Sequence, residues 1–141
     1  MQLNAYLIFN GNCREAFEFY EKALGAKIAA ISSYGDMPGG SGDFPENERH
    51  RILHVRLEHP NWVLMGSDSH PNMGYAGMEG ISLSLQCTSV AEVDRLFTAL
   101  SPGGTVTMPP DKTFWSERFC MFKDRFGVDW MVNFDGDAKA G

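Results

Sequence analysis

The side chains able to do chemistry sit in short runs of alternating pattern. Leu53, Val55 and Leu57 alternate with His54, Arg56 and Glu58, and Ile81, Leu83 and Leu85 alternate with Ser82, Ser84 and Gln86. A period of two marks a strand with one apolar and one polar face. His54, Arg56, Ser82, Ser84, Gln86, Asp129 and Asn133 are therefore expected on polar strand faces, where a ligand can reach them. His54 offers an acid, a base or a metal ligand, or else a hydrogen-bonded structural imidazole. Arg56 shares its face and can grip a carboxylate or phosphonate at two points. The other reading of Arg56 is an ion pair with Asp129 or Glu58. Met65, Met121 and Met131 read as core or pocket filling, and Met131 joins the pocket candidates.

The remaining candidates carry less. His50 and His54 lie four apart in what reads as a strand, a separation of ~13 Å, so they cannot share an ion. His59 and His70 adjoin Pro60 and Pro71 and read as solvated turn residues. Cys13, Cys87 and Cys120 form no C-x-x-C pair. Neither a disulfide framework nor a thiolate zinc site is expected, and each cysteine reads as a small apolar residue. G-x-S-x-G, P-loop and H-E-x-x-H patterns are absent, and Gly39-Gly40-Ser41-Gly42 leads from no strand into a helix, so no dinucleotide fingerprint is present.

Two helices and about eight strands must position these groups. Asn12 with Glu15 resembles a capping box, and Ala16, Phe19, Tyr20, Ala23 and Leu24 then follow helical spacing until Gly25. Ser89, Glu92, Val93, Leu96, Phe97 and Leu100 repeat the pattern until Pro102-Gly103-Gly104. Asn12 and Ser89 stand 77 residues apart, as do Glu15 and Glu92. The same spacing carries residues 4–8 onto 81–85 and residues 52–55 onto 129–132, which reads as an internal duplication. Strands are expected near 2–9, 26–34, 50–58, 61–67, 79–86, 104–109, 117–123 and 128–134, with helices at 13–24 and 90–100. Residues 35–47 form a glycine- and proline-rich loop, and Lys123 to Gly127 a hairpin. The fold class is α+β: duplicated β-α-β-β-β modules forming a curled, partly open mixed sheet cup with helices outside. One domain is expected over residues 1–141, with modules at about 1–70 and 78–136. Its inward polar faces would enclose a cleft.

The 141 residues are 43% hydrophobic with a net charge of −6 and no basic cluster. Nucleic acid and anionic membrane are therefore not expected as partners. Met1-Gln2-Leu3-Asn4 shows no basic segment before an apolar one, so no signal peptide is expected and a cytoplasmic address follows by default.

The run from Tyr6 to Tyr20 (YLIFNGNCREAFEFY) resembles the opening of PhnB-like proteins of the glyoxalase/bleomycin-resistance, or vicinal oxygen chelate, superfamily. Val63-Leu64-Met65-Gly66-Ser67-Asp68, Thr113-Phe114-Trp115-Ser116 and Asp124-Arg125-Phe126-Gly127-Val128-Asp129-Trp130 extend the resemblance over nearly the whole chain. It implies a homodimer and places Trp115 and Phe114 near a cavity mouth. There they either close over a ligand or cover an interface or core. It also implies four metal positions, which fall near Ala5, His54, Ser82 (Gly80 if the strand slips by two) and Met131. Only His54 is a good divalent ligand, and help from Asp129 would give a weak site at most. The expectation is a small polar or anionic ligand, no cofactor and no tightly bound metal. Whether the chain is an enzyme stays open, the alternative being a metal-dependent lyase, isomerase, dioxygenase or thiol transferase. A methyltransferase label attached to some PhnB-like proteins finds no doubly wound nucleotide fold here.

Overall fold

A computed structural model of the chain describes residues 1–37 and 44–138. The glycine-rich run at 39–42 lies outside the described residues. The chain divides into two compact units, Met1–Gly77 and Met78–Gly141. In unit 1, β1 (Ala5–Phe9) leads to α1 (Cys13–Leu24), then β2 (Lys27–Ser33), β3 (Ile52–His59) and β4 (Trp62–Asp68). Short 3-10 turns at Tyr34–Asp36 and Glu46–Glu48 lie between β2 and β3. Unit 2 repeats the series as β5 (Ser82–Gln86), α2 (Val90–Leu100), β6 (Thr105–Asp111), β7 (Arg118–Lys123) and β8 (Asp129–Phe134). The sheet orders are β1-β4-β3-β2 and β5-β8-β7-β6. In each, the first and last strands pair in parallel and the other neighbours are antiparallel. The fold is α+β, with two mixed four-stranded sheets, each packed on one helix.

The helix-facing side of each sheet holds that unit's core. In unit 1 the register aligns Leu7, Gly66 and Val55, and then Leu64 with Leu57. Phe9 meets Phe17 of α1 edge to face, with centroids 6.1 Å apart. Gly66 is required beneath that helix, because a Cβ there would stand 2.7 Å from Phe17 Cε2 and 2.8 Å from the Leu7 carbonyl. The buried face of α1 is Cys13, Ala16, Phe17, Tyr20, Ala23 and Leu24, so Phe17 replaces the expected Phe19, which is half-buried. Each fully buried aromatic contributes about 1.5–3 kcal/mol relative to exposure. In unit 2, Leu83, Trp130 and Phe122 align across three strands, and Phe122 meets Phe97 of α2 edge to face at 5.8 Å.

These registers correct the duplication arithmetic. β8 pairs in parallel with β5 as β4 does with β1, so β8 corresponds to β4, while β3 corresponds to β7. Residues 52–55 therefore do not match 129–132. The helices keep the spacing of 77, with first residues Cys13 and Val90. The helix-facing Leu7 and Phe9, however, correspond to Leu83 and Leu85, a spacing of 76. One extra residue between Leu85 and Ser89 absorbs the difference.

Local signals were met unevenly. Gly25 ends α1 at φ 65°, and Ser89 Oγ accepts the Glu92 N–H at 3.1 Å. The Glu92 carboxylate reaches the N–H of Thr88 rather than that of Ser89. Asn12 makes no side-chain cap; the Asp68 carboxylate accepts the Cys13 N–H instead. The expected hairpin is present, with Gly127 at φ 90°. β1 and β5 begin later than expected, at Ala5 and Ser82, and His50 lies in a turn before β3.

Candidate functional site

Opposite the helix, each sheet has an open face, and strand parity decides what stands on it. In unit 1 the face carries Tyr6 and Ile8 from β1, His54, Arg56 and Glu58 from β3, and Met65 and Ser67 from β4. Tyr6 Oη lies 3.2 Å from His54 Nδ1, and the two rings stack with centroids 5.8 Å apart. The hydroxyl donates to the ring in one imidazole tautomer and accepts from it in the other. Arg56 Nε donates to Glu58 Oε2 at 2.6 Å. Both side chains are well exposed, so this pair adds little stability. Of the two partners expected for Arg56, Glu58 is the one found.

In unit 2 the open face carries Ser82, Ser84 and Gln86 from β5, Asp129, Met131 and Asn133 from β8, and Phe119, Met121 and Lys123 from β7. Asp129 is held by Lys123 Nζ at 3.1 Å, not by Arg56. Asn133 Nδ2 donates to Gln86 Oε1 at 3.1 Å and to Asp135 Oδ1 at 2.5 Å. Trp115 packs edge to face on Phe119 at 5.5 Å, and Phe114 on Trp115 at 4.8 Å. Their loop is pinned by fully buried Ser116, whose Oγ stands 2.8 and 3.0 Å from the carbonyls of Arg118 and Phe134. The structure thus gathers Ser82, Ser84, Gln86, Asp129, Met131 and Asn133 on one face, and His54 with Arg56 on the corresponding face of unit 1. Met65, Met121 and Met131 are half-buried on these open faces rather than packed under a helix.

Other polar groups are structural, and sequence reasoning missed them. Asp68, 1% exposed, accepts the N–H groups of Gly11 (2.7 Å), Cys13 (3.1 Å) and Ile52 (2.8 Å). Buried Arg51 donates to the Ser69 carbonyl and to Asn10 Oδ1. Asp124 accepts from Phe126 N, Val128 N and Trp130 Nε1, which fixes the β7–β8 hairpin. His59 ends β3 and stacks on Trp62 at 4.8 Å. His70 is half-buried: its ring stands perpendicular to those of Tyr34 and Phe44, and its Nδ1 accepts the Asn72 N–H in the turn. Burial raises all three cysteine thiols, Cys87 to about 12 and Cys120 to about 11, with Cys13 higher still and pushed further by Asp68. At neutral pH each is a protonated, weakly nucleophilic group.

Over residues 2–132 the chain matches the Glyoxalase/Bleomycin resistance protein/Dioxygenase superfamily. The chain belongs to that superfamily. Protein YjdN of Escherichia coli is 35% identical to it over 94% of this chain and 95% of that one. A crystal structure of protein PA1353 from Pseudomonas aeruginosa is 48% identical, covering 96% of this chain and 98% of that one, with a TM-score of 0.88. A PhnB protein from Bacillus cereus, whose name includes 3-demethylubiquinone-9 3-methyltransferase, is 25% identical over 95% and 99% of the two chains, with a TM-score of 0.77. This member of the superfamily is therefore PhnB-like in both sequence and fold.

The metal positions that membership implies do not fit the side chains present. Ala5 turns to the helix side with Leu7 and Phe9, and the open-face residue beside it is Tyr6. Ser82 and Met131 do stand on the open face, whereas Gly80 precedes β5. With β3 matched to β7, His54 corresponds to Met121, and Met131 to Ser67. Among the described residues, no three His, Cys, Asp or Glu side chains converge on a point that could chelate a divalent ion.

Proposed function

We propose that this PhnB-like chain binds a small polar or anionic molecule on the open sheet faces, as a cytoplasmic homodimer without a tightly bound metal. The observation that carries the reading is the Tyr6–His54 pair beside Arg56. These three hydrogen-bonding groups are carried on strands, on the side of the sheet turned away from α1. Arg56 uses Nε for Glu58, and its terminal nitrogens make no hydrogen bond among the described residues, which leaves a two-point grip for an oxyanion. The mismatched donor set supports binding without metal. Exposed Ile8 and Ile81 support an apolar contact between two copies. No helix among the described residues is long and apolar enough to cross a membrane. Methyl transfer is left out, because both sheets are mixed and neither has the doubly wound parallel order.

Native mass spectrometry and thermal-shift titration against small carboxylates, phosphonates and polyols test the proposal. The expected result is a species at twice the 15.7 kDa chain mass, and a ligand whose affinity falls about tenfold in Arg56→Ala or His54→Ala. Chelator should leave the melting temperature unchanged. Stoichiometric metal that disappears in His54→Ala would overturn the reading in favour of a metalloenzyme.

A further inference from the structure

The Trp115 end of the unit 2 open face has chemistry of its own, and we propose that it is a subsite for a protonated primary amine carried on a small aromatic or apolar body. This rests on the small-molecule reading above and names a ligand class for it.

The starting point is Asn133, a polar residue only 7% exposed. Both Nδ2 protons are committed, one to Gln86 Oε1 and one to Asp135 Oδ1. Reversing the amide would set Asn133 Oδ1 against two acceptors, so its orientation is fixed by its neighbours. Oδ1 is then an acceptor shielded from solvent and without a donor among the described residues. Buried acceptors are nearly always satisfied, so the donor that Oδ1 takes is not a protein group among the described residues.

Charge and shape specify that donor. Asp135 places a carboxylate beside Asn133, and no basic side chain among the described residues pairs with it. Lys123 is committed to Asp129 and Arg118 to Asp94. An anion at this end would meet two acceptors and a negative charge. An ammonium would satisfy Asn133 Oδ1 and neutralise Asp135 together. Phe119 is the cross-strand partner of Asn133, and it begins an aromatic chain through Trp115 to Phe114, which is 84% exposed. Ring faces attract a cation and accept a flat apolar body. Trp115 packs on Phe119, the cross-strand neighbour of Asn133, so the indole lies close enough to report binding.

The test titrates the full chain at neutral pH with benzylamine, benzyl alcohol and phenylacetate, following the indole N–H resonance of Trp115. Benzylamine should bind about tenfold more tightly than benzyl alcohol, the ratio expected for one charge-assisted contact, and phenylacetate should bind weakest. Asp135→Asn should erase the tenfold preference of benzylamine over benzyl alcohol, and Trp115→Ala should weaken both. Unchanged urea midpoints establish that each variant is folded. Phenylacetate binding as tightly as benzylamine, or benzylamine binding indifferent to Asp135→Asn, would overturn the proposal. If carboxylates bind through Arg56 while benzylamine leaves Trp115 unmoved, the ammonium subsite fails and the broader reading stands. If benzylamine binds as described while no ligand responds to His54 or Arg56, the subsite holds and the unit 1 reading fails.

Discussion

Replacing Asp68 by alanine tests how unit 1 holds its open face in place. The carboxylate accepts three backbone N–H groups, those of Cys13 and Ile52 in buried surroundings and that of Gly11 half-shielded. A hydrogen bond to a charged acceptor contributes about 1.5–3 kcal/mol, and a buried donor left unpaired costs a comparable amount. Simple addition overstates the effect, because the three bonds share one side chain and water can reach Gly11. The expected loss is about 3–5 kcal/mol, or roughly 10–15 °C in melting temperature for a chain of this size. Asp68→Asn keeps one acceptor oxygen and turns an amide NH2, a donor, toward the remaining N–H, so about half the loss is expected. Urea unfolding followed by far-UV circular dichroism measures both; if the units melt separately, only the unit 1 transition should move. A loss below about 1 kcal/mol in Asp68→Ala, or equal losses in the two variants, would refute the argument that this carboxylate ties β3 and α1 to β4.

Gly66→Ala should destabilise by about 1–3 kcal/mol, because its new methyl meets Phe17 and the Leu7 carbonyl at under 3 Å; an unchanged urea midpoint would show that the helix can shift aside. Ser89→Ala should cost about 1 kcal/mol and Asn12→Ala much less, since only Ser89 caps its helix; equal costs in thermal melts would contradict this. Cys87, raised to about 12 by burial from an ordinary value of 9.0, should react slowly with iodoacetamide at neutral pH. The folded thiol keeps its proton where the unfolded one loses it. The thiol's contribution to stability is therefore whole below about pH 9 and lost as pH climbs toward about 12, which urea midpoints across that window would record. Rapid labelling of Cys87 at neutral pH would count against its burial.

Much of this architecture was legible along the chain because it follows one-dimensional periods. Ser82, Ser84 and Gln86 stand opposite Leu83 and Leu85 as parity requires, and Gly25 and Gly127 stop a helix and close a hairpin by positive φ. What escaped depends on pairing. Residues 52–55 and 129–132 share an alternating pattern, but pattern says nothing about which neighbour a strand takes. His54 was thereby matched to Met131 when its counterpart is Met121. The single residue added before Ser89 left the helix spacing intact and reversed strand parity, which placed Ala5 on the wrong face and hid Tyr6 as the partner of His54. Asp68 reads locally as the polar end of a strand; its role is set by backbone groups 55 and 57 residues away. Asn133 was legible as a face residue, but its orphaned oxygen depends on Gln86 and on Asp135, two positions beyond it.

The parallel union of first and last strands in each unit sets an order of events during synthesis. β1 leaves the ribosome early yet has no lateral partner until β4 follows, from Trp62 onward. Until then α1 has only a partial surface to pack on, and the nascent chain carries Leu7, Phe9 and Phe17 without their final cover. Arrival of Asp68 supplies the last pairing of the β1–β4 ladder, with Phe9, and the carboxylate that draws in Gly11, Cys13 and Ile52. Closure of unit 1 is therefore a late, long-range step that can begin before β8 is made, and unit 2 repeats the same wait for β8. Vectorial synthesis would thus separate two slow closures in time, so that the exposed strands of one unit are paired before the similar strands of the other appear to compete for them.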